Sequence, residues 1–341
     1  MREYISMRKT YTCGIIGPGK IARKFAEALQ LTGNVQLGAV ASRDNNKAKQ
    51  FAETFKCPKI YDSYEALMQD PDIDIIYIAT PHAFHCEQTI LCLQHKKAVL
   101  CEKPMALNAT QVSKMIQASK DNQCFLMEAL WTRFLPWLQA VMEIINKGMI
   151  GEVKYVRADF GFKAEYRPEG RLFDTKLGGG SLLDIGIYPL FLCQQILGKP
   201  KHIIASGNID KRGADISCHT VLQYENGGAG IITAMLDCDT PQTAEIAGTE
   251  GMIRIPSRWH RVSGFEWRRI GEDWQTITLP ALTNGFEFQV AEVIRCLDNN
   301  VIESPLLPHV FSLQLSETMD EIRKQTGVFY SQAGESSSLI N

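Results

Sequence analysis

An apolar run ending at two closely spaced glycines narrows the fold of this chain more than any other feature. Cys13-Gly14-Ile15-Ile16 leads into Gly17-Pro18-Gly19-Lys20-Ile21-Ala22, and a helical pattern follows. The spacing from Gly17 is G-x-G-x-x-A. Gly17 permits a tight turn out of a strand, Gly19 lets backbone come close to a pyrophosphate, and Ala22 is small enough for a helix to lie on a sheet. A helix starting at Lys20 and Ile21 offers unpaired N–H groups and a positive dipole end to phosphates. Gly-Pro-Gly also makes ordinary turns, so the surrounding chain has to decide.

From Tyr11 to Asn122 the pattern alternates between strand and helix. It predicts strands at 11–16, 35–42, 59–61, 73–79, 98–101 and 124–127, and helices over 21–31, 45–55, 64–69, 85–95 and 109–120. The near-continuous apolar run 73–79 reads as a strand buried on both faces. Such an order predicts a parallel, doubly wound sheet of the Rossmann kind, with Gly17 and Gly19 in its first strand-to-helix turn. After Met127 the character changes. A helix over 137–147, a strand over 151–162 and a polar loop over 163–177 precede a glycine run, 178–180, that enters a helix ending at Leu197. Strand-like runs between 202 and 278, separated by Gly, Asn and Asp turns, predict an open, largely antiparallel sheet. Helices are predicted over 286–298 and 309–324, and a frayed tail over 331–338. The fold class is therefore α/β. A length of 341 residues suits two domains, placed at 1–130 and 131–341.

Composition bounds the partners. A net charge of -2 with no basic block argues against nucleic acid and for a small, roughly neutral molecule. No uncharged run of 18 or more apolar residues occurs, so no membrane span is expected. The first nine residues lack the apolar core of a secretory signal. Ten cysteines, none in a C-x-x-C pair, read as free thiols in a reducing compartment, with the cytoplasm as default.

In a sheet of this type the ligand lies beyond the C-terminal strand ends. The second strand ends at Ser42-Arg43, with Lys47 one turn on. A hydroxyl and cations there suit a 2′-phosphate, favouring NADP over NAD, although Asp44 could serve a ribose instead. The fourth strand ends in Thr80-Pro81-His82, with His85 starting the next helix. The spacing of His82 and His85 could suggest metal, but no Cys or carboxylate cluster accompanies them, and no metal is expected. Glu102-Lys103-Pro104 closes the fifth strand, and Pro104 holds Lys103 extended. Burial and an oxidised nicotinamide would lower the pKa of Lys103 and ease a role as base. Asp184 and Tyr188 lie four apart, on one helix face, and the simplest partner for Asp184 is Tyr188 or backbone.

Glu102-Lys103-Pro104, together with Gly178-Gly179-Gly180 through Asp184-x-x-x-Tyr188, resembles the Gfo/Idh/MocA (glucose-fructose oxidoreductase / inositol dehydrogenase) family along nearly the whole chain. The stretch Glu128-Ala129, Trp131 and Arg133-Phe134 looks most like its branch of dimeric dihydrodiol dehydrogenases, also described as NADP-dependent D-xylose dehydrogenases. Tyr188 stands where many sugar and inositol members carry His. The resemblance implies a nicotinamide-dependent dehydrogenase, often oligomeric through its second-domain sheet, with a dimer favoured. Lys103 and Tyr188 would flank a reacting C–OH of a sugar, polyol or cyclic diol, with Asp184 tuning them. Trp131 and Phe160 would wall the pocket, Arg133 would lie near the nicotinamide, and Phe286 is a further wall candidate. Two other readings stay open: a glycosidase of this fold using tightly bound NAD, and a non-catalytic NADP-binding sensor.

Overall fold

The computed structural model describes residues 9–281 and 283–335. The stretch 1–8 and the tail positions 336–338 lie outside the described residues. Six parallel strands form the first sheet: β1 (Tyr11–Ile16), β2 (Val35–Ala41), β3 (Lys59–Tyr61), β4 (Ile75–Ile78), β5 (Ala98–Glu102) and β6 (Leu126–Ala129). Their order is β3-β2-β1-β4-β5-β6. They are linked by α1 (Lys20–Leu31), α2 (Asn45–Phe55), α3 (Tyr64–Gln69), α4 (His85–Gln94) and α5 (Ala109–Asn122). Every residue of β4 is buried, which is why that stretch reads as unbroken apolar sequence. The strand order reverses between β1 and β4, so the loops after these two strands open the crevice where such sheets bind ligands.

The chain then passes through α6 (Pro136–Asn146) into a second, eight-stranded sheet. Its strands are β7 (Val153–Gly161), β8 (His202–Ile209), β9 (Asp215–Gln223), β10 (Ala229–Met235), β11 (Ala244–Gly248), β12 (Gly251–Ile255), β13 (Gly264–Arg269) and β14 (Gln275–Thr278). The order is β14-β13-β12-β11-β7-β10-β9-β8, antiparallel except for the β7–β10 pair. Helices α7 (Ile187–Leu197) and α9 (His309–Thr326) cover one face of this sheet. The other face is open, and strand β9 alternates buried and exposed residues accordingly. Helix α8 (Glu287–Asp298) packs on α1, and α9 also packs on α5. The later half of the chain thus returns to brace the first sheet.

Three predicted features differ in form. The helix after the glycine run begins with a π-helical turn, Leu182–Gly186, before α7. Its start is capped from a distance: Asp215 accepts from Ser181 Oγ (2.6 Å) and from the Leu182 N–H (2.7 Å). Gly180 makes room for this cap. Its φ is +134°, and a Cβ there would lie 2.1 Å from Asp215 Oδ1. The loop 163–177 is folded on itself, with Phe173 buried and a short 3₁₀ turn at Thr175–Leu177. The tail is pinned as far as Glu335, contrary to fraying: Tyr330 Oη donates to the Gly179 carbonyl (2.9 Å), and Glu335 accepts from Arg323 (2.7 Å) and Asn108 (2.8 Å). Cross-chain bonds outweigh terminal entropy there. One stretch, Thr175–Leu197, is apolar and long enough to cross a membrane, but 83% of its window is buried inside the fold. All ten cysteines are free thiols.

Candidate active site

The crevice at the strand reversal is built from backbone first. Gly17 has φ +85°, and a Cβ there would come within 3.0 Å of the Ala79 carbonyl oxygen, so only glycine fits. A Cβ at Gly19 would meet nothing within 4 Å, and Gly19 begins α1 without any side-chain cap. Lys20 and Ile21 follow in the first helical turn. An open approach, unclaimed helix-start N–H groups and the dipole end make a cradle that fits a pyrophosphate. A dinucleotide cofactor therefore suits the residues present.

At the end of β2, Ser42 is buried and its Oγ accepts from the Asp44 N–H (3.1 Å). Asp44 caps α2, accepting from the N–H groups of Asn46 (3.1 Å) and Lys47 (3.2 Å). The bond from the Lys47 backbone, followed by its ammonium, holds the exposed Asp44 below the usual carboxylate range. Arg43 is exposed, with its guanidinium 5.5 Å from the centre of the Phe84 ring. At the end of β4, Thr80 Oγ1 donates to Gln88 (2.6 Å), and Pro81 precedes the turn His82–Phe84. His82 Nδ1 donates to the Gly178 carbonyl at 2.9 Å, tying this loop to the glycine run of the second domain. Burial, with smaller contributions from His85 and Lys103, pushes the His82 pKa down to about 3, so the ring is neutral. His85 faces the Pro104 and Thr80 carbonyls, each at 2.9 Å. Burial lowers its pKa against those two bonds. The two imidazoles thus brace backbone rather than converge on a shared point.

Lys103 projects from the end of β5, and its bond to Pro104 is cis. Beneath it, buried Glu102 accepts from Tyr77 Oη and from the Lys103 N–H (3.2 Å). Lys103 Nζ donates to the Asp184 carbonyl and lies 3.5 Å from Asp184 Oδ1 and 5.0 Å from the Tyr188 ring centre. Tyr188 Oη accepts from Trp131 Nε1 (3.1 Å). Lys103, Asp184 and Tyr188 thus come together from two domains, along with Trp131. The partners of Asp184 are cations, not Tyr188. Besides Lys103, Arg171 donates to Asp184 Oδ1 at 2.8 Å. Burial alone would raise the Asp184 pKa, but Lys103 and Arg171 together hold it well below the carboxylate range.

The expected depression of the Lys103 pKa does not occur in the field of this chain. Burial lowers it, but Tyr188, Asp184 and Glu102 outweigh burial and raise it. Lys103 is an ammonium. Burial raises the Tyr188 pKa, with Glu102 and Asp184 adding to it, against the opposing pull of Lys103 and the Trp131 N–H.

Aromatic rings pack around this cluster. Trp131 stacks on Phe286 at 5.0 Å, and Phe160 leans on Tyr188 at 5.6 Å. Phe286 is almost fully buried and backs Trp131. Arg133 makes no bond to the cluster among the described residues; its Nε donates to the Leu306 carbonyl (2.7 Å). Two residues escaped the sequence reading. Arg171 lies in the irregular loop 163–177, and His260 follows a turn after β12 and stacks on Phe160 at 4.4 Å. Arg171 belongs to no periodic element and His260 only to the single 3₁₀ turn Trp259–Arg261, too short for a spacing rule to point to it.

Comparison with known proteins shows the family of the chain. Residues 11–130 match the model of an oxidoreductase family with an NAD-binding Rossmann fold, GFO_IDH_MocA, and residues 138–254 match the GFO/IDH/MocA C-terminal domain. The trans-1,2-dihydrobenzene-1,2-diol dehydrogenase of Mus musculus is 38% identical over 331 residues, covering 94% of this chain and 98% of its own. Its counterpart from Homo sapiens is 34% identical over 328 residues, with the same coverage of 94% and 98%. A 3-ketoreductase from Actinomadura kijaniata, solved with NADP and TDP-benzene, superposes with a TM-score of 0.86 at 23% identity, covering 94% of this chain and 99% of its own. An aldose-aldose oxidoreductase from Caulobacter crescentus gives 0.84 at 22%, covering 96% and 99%. The two structures share the fold; the two matched domains and the curated relatives show that this chain belongs to the Gfo/Idh/MocA oxidoreductase family.

Proposed function

We propose that the protein is an NADP(H)-dependent dehydrogenase that moves hydride between nicotinamide and a C–OH carbon of a sugar, polyol or cyclic diol. The observation that carries this reading is the meeting of Lys103 and Tyr188 beside the phosphate cradle, with aromatic walls alongside. Residues 1–130 hold the cofactor in this reading, and residues 131–341 supply the substrate walls and the oligomer contact. The curated relatives named for a cyclic trans-diol support the substrate class.

Bound NADP supplies the hydride acceptor or donor. The chain supplies position and proton transfer. Tyr188 takes the hydroxyl proton during oxidation and returns it during reduction, as general base and acid. Lys103, an ammonium 5.0 Å from the ring centre, stabilises the phenolate that this exchange requires. Asp184 holds Lys103 in place and stays ionised because Arg171 shares its carboxylate. Trp131 fixes the Tyr188 hydroxyl by its N–H. The preference for NADP over NAD rests on Ser42 and Arg43 just beyond β2, on Lys47 in the first turn of α2, and on Asp44 being engaged as a helix cap. A ribose 2′-phosphate would meet cations there rather than a free carboxylate.

The open face of the second sheet suits a homodimer. Ile204, Val221 and Ile231 stand side by side across β8, β9 and β10 and are exposed. The same row continues through Arg157, Glu245, Arg254 and Glu266, with signs alternating across β7, β11, β12 and β13.

The test is a fluorescence titration of the protein with NADP+ and NAD+, repeated with Arg43→Ala, followed by a screen of aldoses and diols for NADPH formation. Tighter NADP+ binding that Arg43→Ala abolishes, with turnover of a sugar or diol, is the expected result. Equal binding of both cofactors, or retained NAD with no NADPH release, would overturn it.

A further inference from the structure

His260 is placed with care by its neighbours. Trp259, fully buried, packs edge to face on Trp137 at 6.1 Å and donates its Nε1–H to the Asp159 carbonyl (2.9 Å). Arg258 adopts the left-handed conformation at φ +61°, which turns the chain, and Thr132 Oγ1 donates to the His260 carbonyl (3.2 Å). The imidazole then stacks on Phe160 at 4.4 Å, meets Trp131 edge-on at 6.2 Å and lies 5.8 Å from the Tyr188 ring. These three rings are the walls of the proposed substrate space. Yet Nδ1 of His260 is buried with no hydrogen-bond partner among the described residues. A phenyl ring would fill an apolar wall without that penalty, since a buried polar group left unpaired is costly. Eleven other buried side-chain polar atoms among the described residues are unpaired as well, but none of them belongs to a ring lying against Phe160, Trp131 and Tyr188, so a partner that arrives with the ligand fits this one.

The charge state narrows the partner. Burial, with Arg261 and Lys103 adding, pushes the His260 pKa down to about 3. A neutral imidazole carries one donor and one acceptor, which matches a hydroxyl better than a carboxylate or phosphate. Tyr188 and Lys103 are engaged with the reacting hydroxyl in the function proposed above, so His260 faces a different one.

We propose that His260 is a specificity-determining residue that hydrogen-bonds a non-reacting hydroxyl of a polyhydroxylated substrate. This rests on the proposed dehydrogenase reading for the site's location and for the engagement of the reacting hydroxyl by Tyr188 and Lys103. The test measures binding, not turnover. The NADP+-loaded protein is titrated with D-xylose and with each of its monodeoxy analogues, following intrinsic tryptophan fluorescence, in wild type, His260→Phe and His260→Gln. One deoxy analogue is expected to bind wild type about tenfold more weakly than D-xylose, the scale of one hydrogen bond to a buried group. His260→Phe should weaken D-xylose by a similar factor and show no further loss with that analogue, because the two deletions remove the same bond. His260→Gln should restore part of the affinity. Unchanged NADP+ binding in both variants certifies that they fold. Equal deoxy ratios in wild type and His260→Phe, or no binding of any of these sugars to wild type, would overturn the assignment. Wild-type oxidation of a diol alongside that result would leave the dehydrogenase reading standing. Coupled losses without turnover of any sugar or diol would do the reverse.

Discussion

Asp184 Oδ1 is shared by Arg171 at 2.8 Å and Lys103 at 3.5 Å, so the charge of one buried carboxylate is set from two sides. In the proposed mechanism Tyr188 transfers the proton. Tyr188→Phe should lower kcat by about 100-fold or more, the range for losing a positioned acid–base group, with NADP+ affinity unchanged by fluorescence titration. Lys103→Met should also lower kcat, and activity near wild type in both variants would remove these roles. Arg171 gives a pH signature. The folded pKa of Asp184 is held below its unfolded value, so its ionised form contributes stability above the unfolded pKa and loses it as pH falls toward the folded one. Arg171→Ala removes one of the two cations. The folded pKa of Asp184 then lies closer to its unfolded value, so the loss of thermal stability on acidification should be smaller than in wild type, measured by melting temperature between pH 3 and 6.

Elements carry their own tests. Glu128 on β6 accepts from the Met105 N–H (2.9 Å) and from Ser312 on α9 (2.6 Å), joining the first sheet to the C-terminal helix. Burial pushes its pKa up to about 7. The folded state therefore keeps a proton that the unfolded chain releases near pH 4.3, and stability declines as pH rises from there to about 7. Glu128→Gln should flatten the melting temperature over that window while keeping both contacts satisfied; an unchanged slope would assign it to another group. At the π-helical turn, Gly180→Ala meets both a positive φ and the Asp215 carboxylate. It should destabilise the protein by about 1–3 kcal/mol in denaturant melts, the range for a residue forced into a strained backbone region. It should also lower kcat, because the turn carries Asp184.

For the whole molecule, the exposed Ile204-Val221-Ile231 row is the expected dimer contact. Ile231→Glu should convert a dimer to a monomer by light scattering, since like charges would face each other across a two-fold axis. Dimer retention would move the contact elsewhere. The division into cofactor and substrate halves is less simple than the chain order implies. Helices α8 and α9 return to α1 and α5, and His309 Nε2 donates to the Leu126 carbonyl of β6 (2.8 Å). Cofactor binding should accordingly raise the melting temperature of the entire molecule rather than of one half.

The amino-acid sequence by itself determined the parallel sheet, its glycine turn and the strand-end positions of Ser42, Thr80 and Lys103. Strands buried on both faces read as apolar runs, and the turn after β1 has a local steric requirement that only glycine meets. It also placed Asp184 and Tyr188 one turn apart. Only the tertiary structure decided what stands opposite them. Arg171 arrives on an irregular loop and His260 on a single 3₁₀ turn, both positioned by packing within the second domain, and such short segments carry no periodicity to read. The pKa of Lys103 was decided there as well. Glu102 is its neighbour in the chain, but the rest of the balance against burial comes from Asp184 and Tyr188, which the π-helical turn and α7 bring to the end of β5.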